Sequence, residues 1–135
     1  MTPDKLKTIV NTNDSVYKLV NFYATWCKPC VKELPDLISL QSTYPKKIKL
    51  ILISLDDAQV VQEKLPTFLS EQKISFQTWF APGDYPVSTT LVKTFYPEWA
   101  TQVPVTLLYS PEGNLMNTWV GRITPDQIVN IIYPK

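Results

Sequence analysis

The 135-residue sequence contains no histidine, only two cysteines and only three glycines. Without histidine, neither a Cys–His nor a Ser–His–Asp nucleophile can be assembled. Two thiols and no imidazole also fall short of a tetrahedral zinc site within one chain, unless carboxylates complete it. Two cysteines are too few for a disulfide scaffold. Neither sign of charge is in excess: 13 basic and 12 acidic residues leave a net charge of +1, which gives no reason to expect nucleic acid or an anionic membrane surface as partner. No apolar run approaches the roughly 18 residues of a membrane-spanning helix. The first ten residues, "MTPDKLKTIV", have neither the apolar core nor the small-residue cleavage site of a signal peptide. The chain is therefore expected to be soluble as it stands, with any export signal or membrane anchor already removed. Its length suits one domain spanning residues 1–135. Proline is the abundant outlier, with 12 scattered residues that read as rigid turns rather than as a disordered tract.

Hydrophobic patterning predicts alternating strands and helices. Residues 4–10 suit a short helix or a strand. The run "VYKLVNFYA", 16–24, is β-branched and aromatic with little alternation, the pattern of a buried central strand. Residues 30–44 carry Val31, Leu34, Leu37, Ile38 and Leu40 at helical spacing, with Pro35 as an expected kink. A second buried strand is predicted over 46–56, where Lys46, Lys47 and Lys49 read as a solvated start. A helix over 57–72 is expected to break or bend at Pro66, a short strand follows at 74–81, and another helix ends before Pro97. Strands at 103–110 and 114–121 are joined by "SPEGN", whose proline and glycine suit a tight turn. Thr124, Pro125 and Gln127 announce a last helix through a capping box. The order β-α-β-α-β-α-β-β-α implies an α/β domain, a parallel sheet extended by an antiparallel hairpin and layered between helices. Most of the aromatics Trp79, Phe80, Tyr85, Phe95, Tyr96 and Trp99 are expected in the core, with Trp99 also a candidate wall of any cleft near Pro104.

Both cysteines lie in "TWCKPC", residues 25–30, directly after the first buried strand and at the start of a helix. A helix N-terminus presents unpaired N–H groups and a partial positive charge, so it favours a thiolate at Cys27. Cys30 lies one turn further in, on the same helix face and within bridging reach. Pro29 suits the first turn. A bridge closing so short a loop restrains little of the unfolded chain and makes a poor staple. The arrangement fits a dithiol that cycles, Cys27 attacking a disulfide and Cys30 resolving the mixed disulfide. Lys28, between the two, places a cation beside Cys27 that further favours its thiolate.

The segment "LVNFYATWCKPC" resembles the active-site segment of the thioredoxin superfamily, and Pro35, five residues after Cys30, matches that family's helix kink. The stretch "QVPVTLLYSPEGNLMNTWVG" is similar to its second signature, a cis-proline followed by a hairpin. The resemblance runs from about residue 5 to 133 and implies a thioredoxin-like three-layer α/β/α sandwich with a mixed central sheet. The pattern "NFYATWC…C…E.P", the residue Glu33 and the long segment 56–100 are similar to the TlpA-like (ResA-like) branch, extracytoplasmic bacterial reductases, several of which serve cytochrome c maturation. An extracytoplasmic location is thus implied, with the cytoplasm as the alternative.

By the same resemblance, Pro104 is the cis-proline facing Cys27, and Val103 before it offers substrate its backbone but no hydroxyl. Trp26 borders the substrate surface, with Lys28 and Pro29 beside it. Asn21 stands where thioredoxins have a buried aspartate, which leaves Glu33 or water to take the proton from Cys30; a place on the exposed helix surface is an equally good reading of Glu33. The activity implied is a protein disulfide reductase with a redox-active disulfide and no cofactor. Its partners would be protein thiols or disulfides and an upstream electron donor, and the chain is expected to be a monomer. A dithiol oxidase, a peroxiredoxin-like peroxidase and a non-catalytic binding module are the alternatives. The peroxidase lacks its Thr or Ser three residues before the nucleophile, where this chain has Ala24.

Overall fold

The computed structural model describes residues 1–81 and 85–134. In chain order the elements are α1 (Pro3–Asn11), β1 (Tyr17–Tyr23), α2 (Lys28–Thr43), β2 (Ile48–Ser54), α3 (Ala58–Glu63), α4 (Leu65–Glu71), β3 (Trp79–Phe80), α5 (Tyr85–Phe95), β4 (Val105–Tyr109), β5 (Leu115–Val120) and α6 (Pro125–Ile132). The undecided N-terminal segment is a helix. Thr2 caps it by accepting from the Lys5 N–H, and Leu6 and Val10, four residues apart, are its buried face.

The five strands stand in the order β3-β2-β1-β4-β5. β1 is central, parallel to β2 and antiparallel to β4, with β2–β3 parallel and β4–β5 antiparallel. Both faces of β1 are covered, which explains its unbroken apolar run. Alternation then splits the core in two. Leu19 and Tyr23 face α2 and α6, packing with Leu34, Leu37 and Ile128. Val20 and Phe22 face the other way, packing with Leu6, Val10, Leu91 and Val92 of α1 and α5. The expected three-layer α/β/α sandwich on a mixed sheet is therefore the fold.

The expected break near Pro66 is there: α3 ends at Glu63 and Pro66 stands in the first turn of α4, where its missing N–H is harmless. Several local expectations change. The strand at 74–81 shrinks to Trp79 and Phe80. Ile74 and Phe76 instead pack onto the α2 side of the core, and the Leu50 N–H of β2 is met by the Gln41 side chain at 2.8 Å. Phe80, expected inside, is exposed at the sheet edge, whereas Trp79, Phe95 and Tyr96 pack partly buried on the α1 side. The side chain of Tyr85 lies outside the described residues. Lys46, Lys47 and Lys49 are solvated, as read. Turn Ser110–Gly113 closes with the Gly113 N–H donating to Ser110 O, and Gly113 takes a positive φ of 95° that its lack of a side chain permits.

Candidate active site

β1 delivers the chain to a tight turn, where the Cys27 N–H donates to Ala24 O at 3.1 Å and α2 begins at Lys28. Cys27 is the N-cap of that helix: its sulfur accepts from the Cys30 N–H at 3.3 Å, one of the donors that a helix start leaves unpaired. Pro29 occupies the first turn without forfeiting a hydrogen bond. The two cysteines are joined as a disulfide with their Cα atoms 5.3 Å apart, and both are buried. Facing them is the Val103–Pro104 peptide, which is cis, with the Val103 carbonyl oxygen 3.7 Å from the Cys27 sulfur. The Pro104 carbonyl is tied to the end of β5 by the Gly121 N–H at 2.8 Å.

Beneath the disulfide, Glu33 is fully buried, not a surface carboxylate. One of its oxygens accepts from Asn21 Nδ2 and the other from the Ile123 backbone N–H, both at 2.9 Å. Asn21 on β1 also donates to Thr106 Oγ1, its cross-strand neighbour on β4, at 3.0 Å. The Asn21 Oδ1 atom is buried and meets no partner among the described residues. Burial raises the Glu33 pKa; the hydrogen bonds from Ile123 and Asn21 and the charge of Arg122 offset part of that rise. Cys30 and Glu33 are three apart in α2 and both buried, so they share its inner face.

A second buried carboxylate was not singled out from the sequence. Asp56, just past β2, is 1% exposed and holds the loop that leads into the cysteines. Both its oxygens accept from the Thr25 N–H at 3.1 Å, Oδ1 accepts from Thr25 Oγ1 at 2.9 Å, and Oδ2 from Ser54 Oγ at 2.6 Å. The Tyr23 hydroxyl is buried without a partner, and burial together with the Asp56 charge raises its pKa. The only available signal was an aspartate directly after a buried strand, at the end of a parallel sheet where sites collect.

Around the sulfurs the surface is mixed. Trp26 is 72% exposed, and Lys28 and Pro29 are also exposed. Val103 is partly buried. Trp99 does not wall this cleft: it is buried on the α1 side, its indole N–H donating to Gln102 O at 2.6 Å. Among the described residues no group of three or more Cys, Asp and Glu could hold a metal ion.

The family model described as Thioredoxin matches residues 1–73 of the chain. The chain belongs to the thioredoxin family. Among curated proteins it is 29% identical over 121 residues to the thiol-disulfide oxidoreductase ResA of Oceanobacillus iheyensis, spanning 87% of this chain and 57% of that protein. It is 33% identical over 114 residues to the thioredoxin-like protein YneN of Bacillus subtilis, spanning 82% of this chain and 59% of that protein. The chain thus spans about six-tenths of the length of these relatives. Among solved structures, a thioredoxin-family thiol:disulfide interchange protein from Chlorobium tepidum superposes with a TM-score of 0.70 at 22% identity, over 89% of this chain and 79% of that one. The relatives match the thioredoxin-family, ResA-like resemblance read from "TWCKPC" and Glu33. The structure brings Cys27, Cys30, Pro104 and Val103 together at one point, puts Glu33 beneath them, and leaves Trp26, Lys28 and Pro29 on the rim.

Proposed function

We propose that the chain is a protein disulfide reductase working through the Cys27–Cys30 pair. The observation that carries this reading is Cys27 as N-cap of α2, with the Cys30 N–H aimed at its sulfur. In the reduced protein that donor and the helix dipole stabilise a thiolate at Cys27. The thiolate attacks one sulfur of a substrate disulfide, forming a mixed disulfide and expelling the other sulfur as a thiolate. Cys30, its proton passed to Glu33, then attacks Cys27 and releases the second substrate sulfur. Two electrons have moved from the dithiol to the substrate, and two protons complete the product thiols. The backbone beside Pro104 pairs with the extended substrate as an added strand would.

The remaining parts of the reading rest on resemblance. A single domain over 1–135 acts as a monomer, without a cofactor beyond its own disulfide. It takes electrons from an upstream thiol donor and works outside the cytoplasm, as TlpA-like proteins do; cytochrome c maturation is one setting of that kind. None of the described helices is long and apolar enough to cross a membrane. The test is insulin reduction with dithiothreitol. We expect turnover that disappears in Cys27→Ser, and a stable mixed disulfide with insulin in Cys30→Ser. Turnover unchanged in Cys27→Ser sinks the proposal.

A further inference from the structure

We propose that the hollow between Trp26 and helices α3–α4 is a subsite for a lysine or arginine side chain of the substrate, next to the disulfide under attack. This rests on the thiol–disulfide exchange reading above and adds a substrate class to it. The hollow measures about 490 Å³ and is walled by Trp26, Val60, Glu63, Lys64, Phe68 and Glu71. That is the size of a site for a small ligand. Thr25 and Trp26, the two residues before Cys27, line the hollow, so it borders the active-site turn.

Two of its lining residues, Phe68 and Thr25, are held by the fold. The Phe68 ring stacks on the buried Tyr23 ring, centroids 6.1 Å apart. Thr25 is pinned by the Asp56 carboxylate. The floor of the hollow is therefore in place before substrate arrives.

Its chemistry suits a long cation. Phe68 and Val60 give an apolar floor for a methylene stem, and the exposed indole face of Trp26 attracts a cationic head. Two carboxylates face one ammonium there, and among the described residues none of Glu63, Lys64 and Glu71 forms an ion pair. Trp26 also lines a second hollow, about 250 Å³, bordered by Lys28 and Lys32 of α2. The charge therefore changes sign between the two hollows that Trp26 lines. A cation is drawn to the α3–α4 side and repelled from the α2 side, which fixes the direction in which the substrate chain crosses the site.

The test uses three peptides with the same intramolecular disulfide, differing only in a lysine, norleucine or glutamate flanking the attacked cysteine. Each is mixed with the reduced full-length protein, and the second-order exchange rate is followed. The lysine peptide should react about fivefold faster than the norleucine one at low salt, and the glutamate peptide slowest, with the spread shrinking as salt rises. In the double variant Glu63→Gln/Glu71→Gln the lysine-to-norleucine ratio should fall to about one. That ratio, taken within each variant, is blind to a general loss of activity. Equal rates in the unaltered protein, a preference for norleucine or glutamate, or a lysine preference that survives the double variant overturns the subsite while leaving the exchange reading intact. No exchange with any of the three peptides removes the exchange reading itself and the subsite with it.

Discussion

Glu33 has one backbone and one side-chain donor on its carboxyl but sits out of water, and the loss of hydration wins: its pKa is raised. A carboxyl whose folded pKa exceeds its unfolded one binds a proton more tightly in the native state. Its contribution to stability is therefore complete below the unfolded pKa, declines as pH rises through the window up to the raised value, and is flat above it. Glu33→Gln removes the titration and keeps the shape. Its amide N–H₂ can also meet the orphaned Asn21 Oδ1. Urea midpoints on a pH ladder should show the unaltered protein losing ground to Glu33→Gln across that window, by about 1.4 kcal/mol for each unit of pKa rise. The rate at which Cys30 resolves a mixed disulfide should lose its rising limb in the same variant. A stability difference that does not vary with pH, with an unaltered resolving rate, would show that Glu33 neither titrates nor takes the Cys30 proton.

At the scale of elements, the active-site turn is held by the ends of two strands, and Asp56 is the tie between them. Removing its carboxylate in Asp56→Ala leaves the Thr25 N–H and two hydroxyls without their acceptor, a loss of about 2 kcal/mol of stability. Because the turn carries Cys27, a shift of the loop should lower kcat/KM for insulin by roughly 10- to 100-fold. Thr25→Val removes one hydroxyl bond but keeps the backbone one, so it should show a small part of both effects. A normal kcat/KM in a destabilised Asp56→Ala would assign this carboxylate to folding alone. The β1–α2 junction itself was legible from sequence, because a buried strand, a CxxC and a proline in the first turn are all local signals. Asp56 was not, since Ser54 is only a local neighbour and its deciding partner, Thr25, comes to it only through the β1–β2 pairing. Glu33 was half legible: it falls on the stripe with Cys30, Leu34 and Leu37, but a charged residue on an apolar stripe gives no sign of the donors from β1 and from Ile123 that meet it. Residues 74–78 misled for the opposite reason. Their pattern suits a strand, but Gln41 already fills part of the β2 edge they would have paired with.

For the molecule as a whole, the direction of electron flow is a difference in folding free energy. Oxidised and reduced chains, folded and unfolded, form a cycle. The folded pair is a better reductant than the unfolded pair by just as much as the oxidised protein is more stable than the reduced one. About 30 mV of potential corresponds to 1.4 kcal/mol. Two features of this fold pull in opposite directions. The Cys30 N–H and the start of α2 stabilise a Cys27 thiolate, which favours the reduced form. Burial of both sulfurs disfavours any charge on the reduced pair, which favours the neutral disulfide. A reductase requires the second to win. Guanidinium unfolding of the two forms, with Cys27→Ser/Cys30→Ser as the reference without a redox pair, should then give the higher midpoint to the oxidised protein. A higher midpoint for the reduced protein would mean that folding favours the dithiol, and the chain would run as an oxidase with the same residues in place.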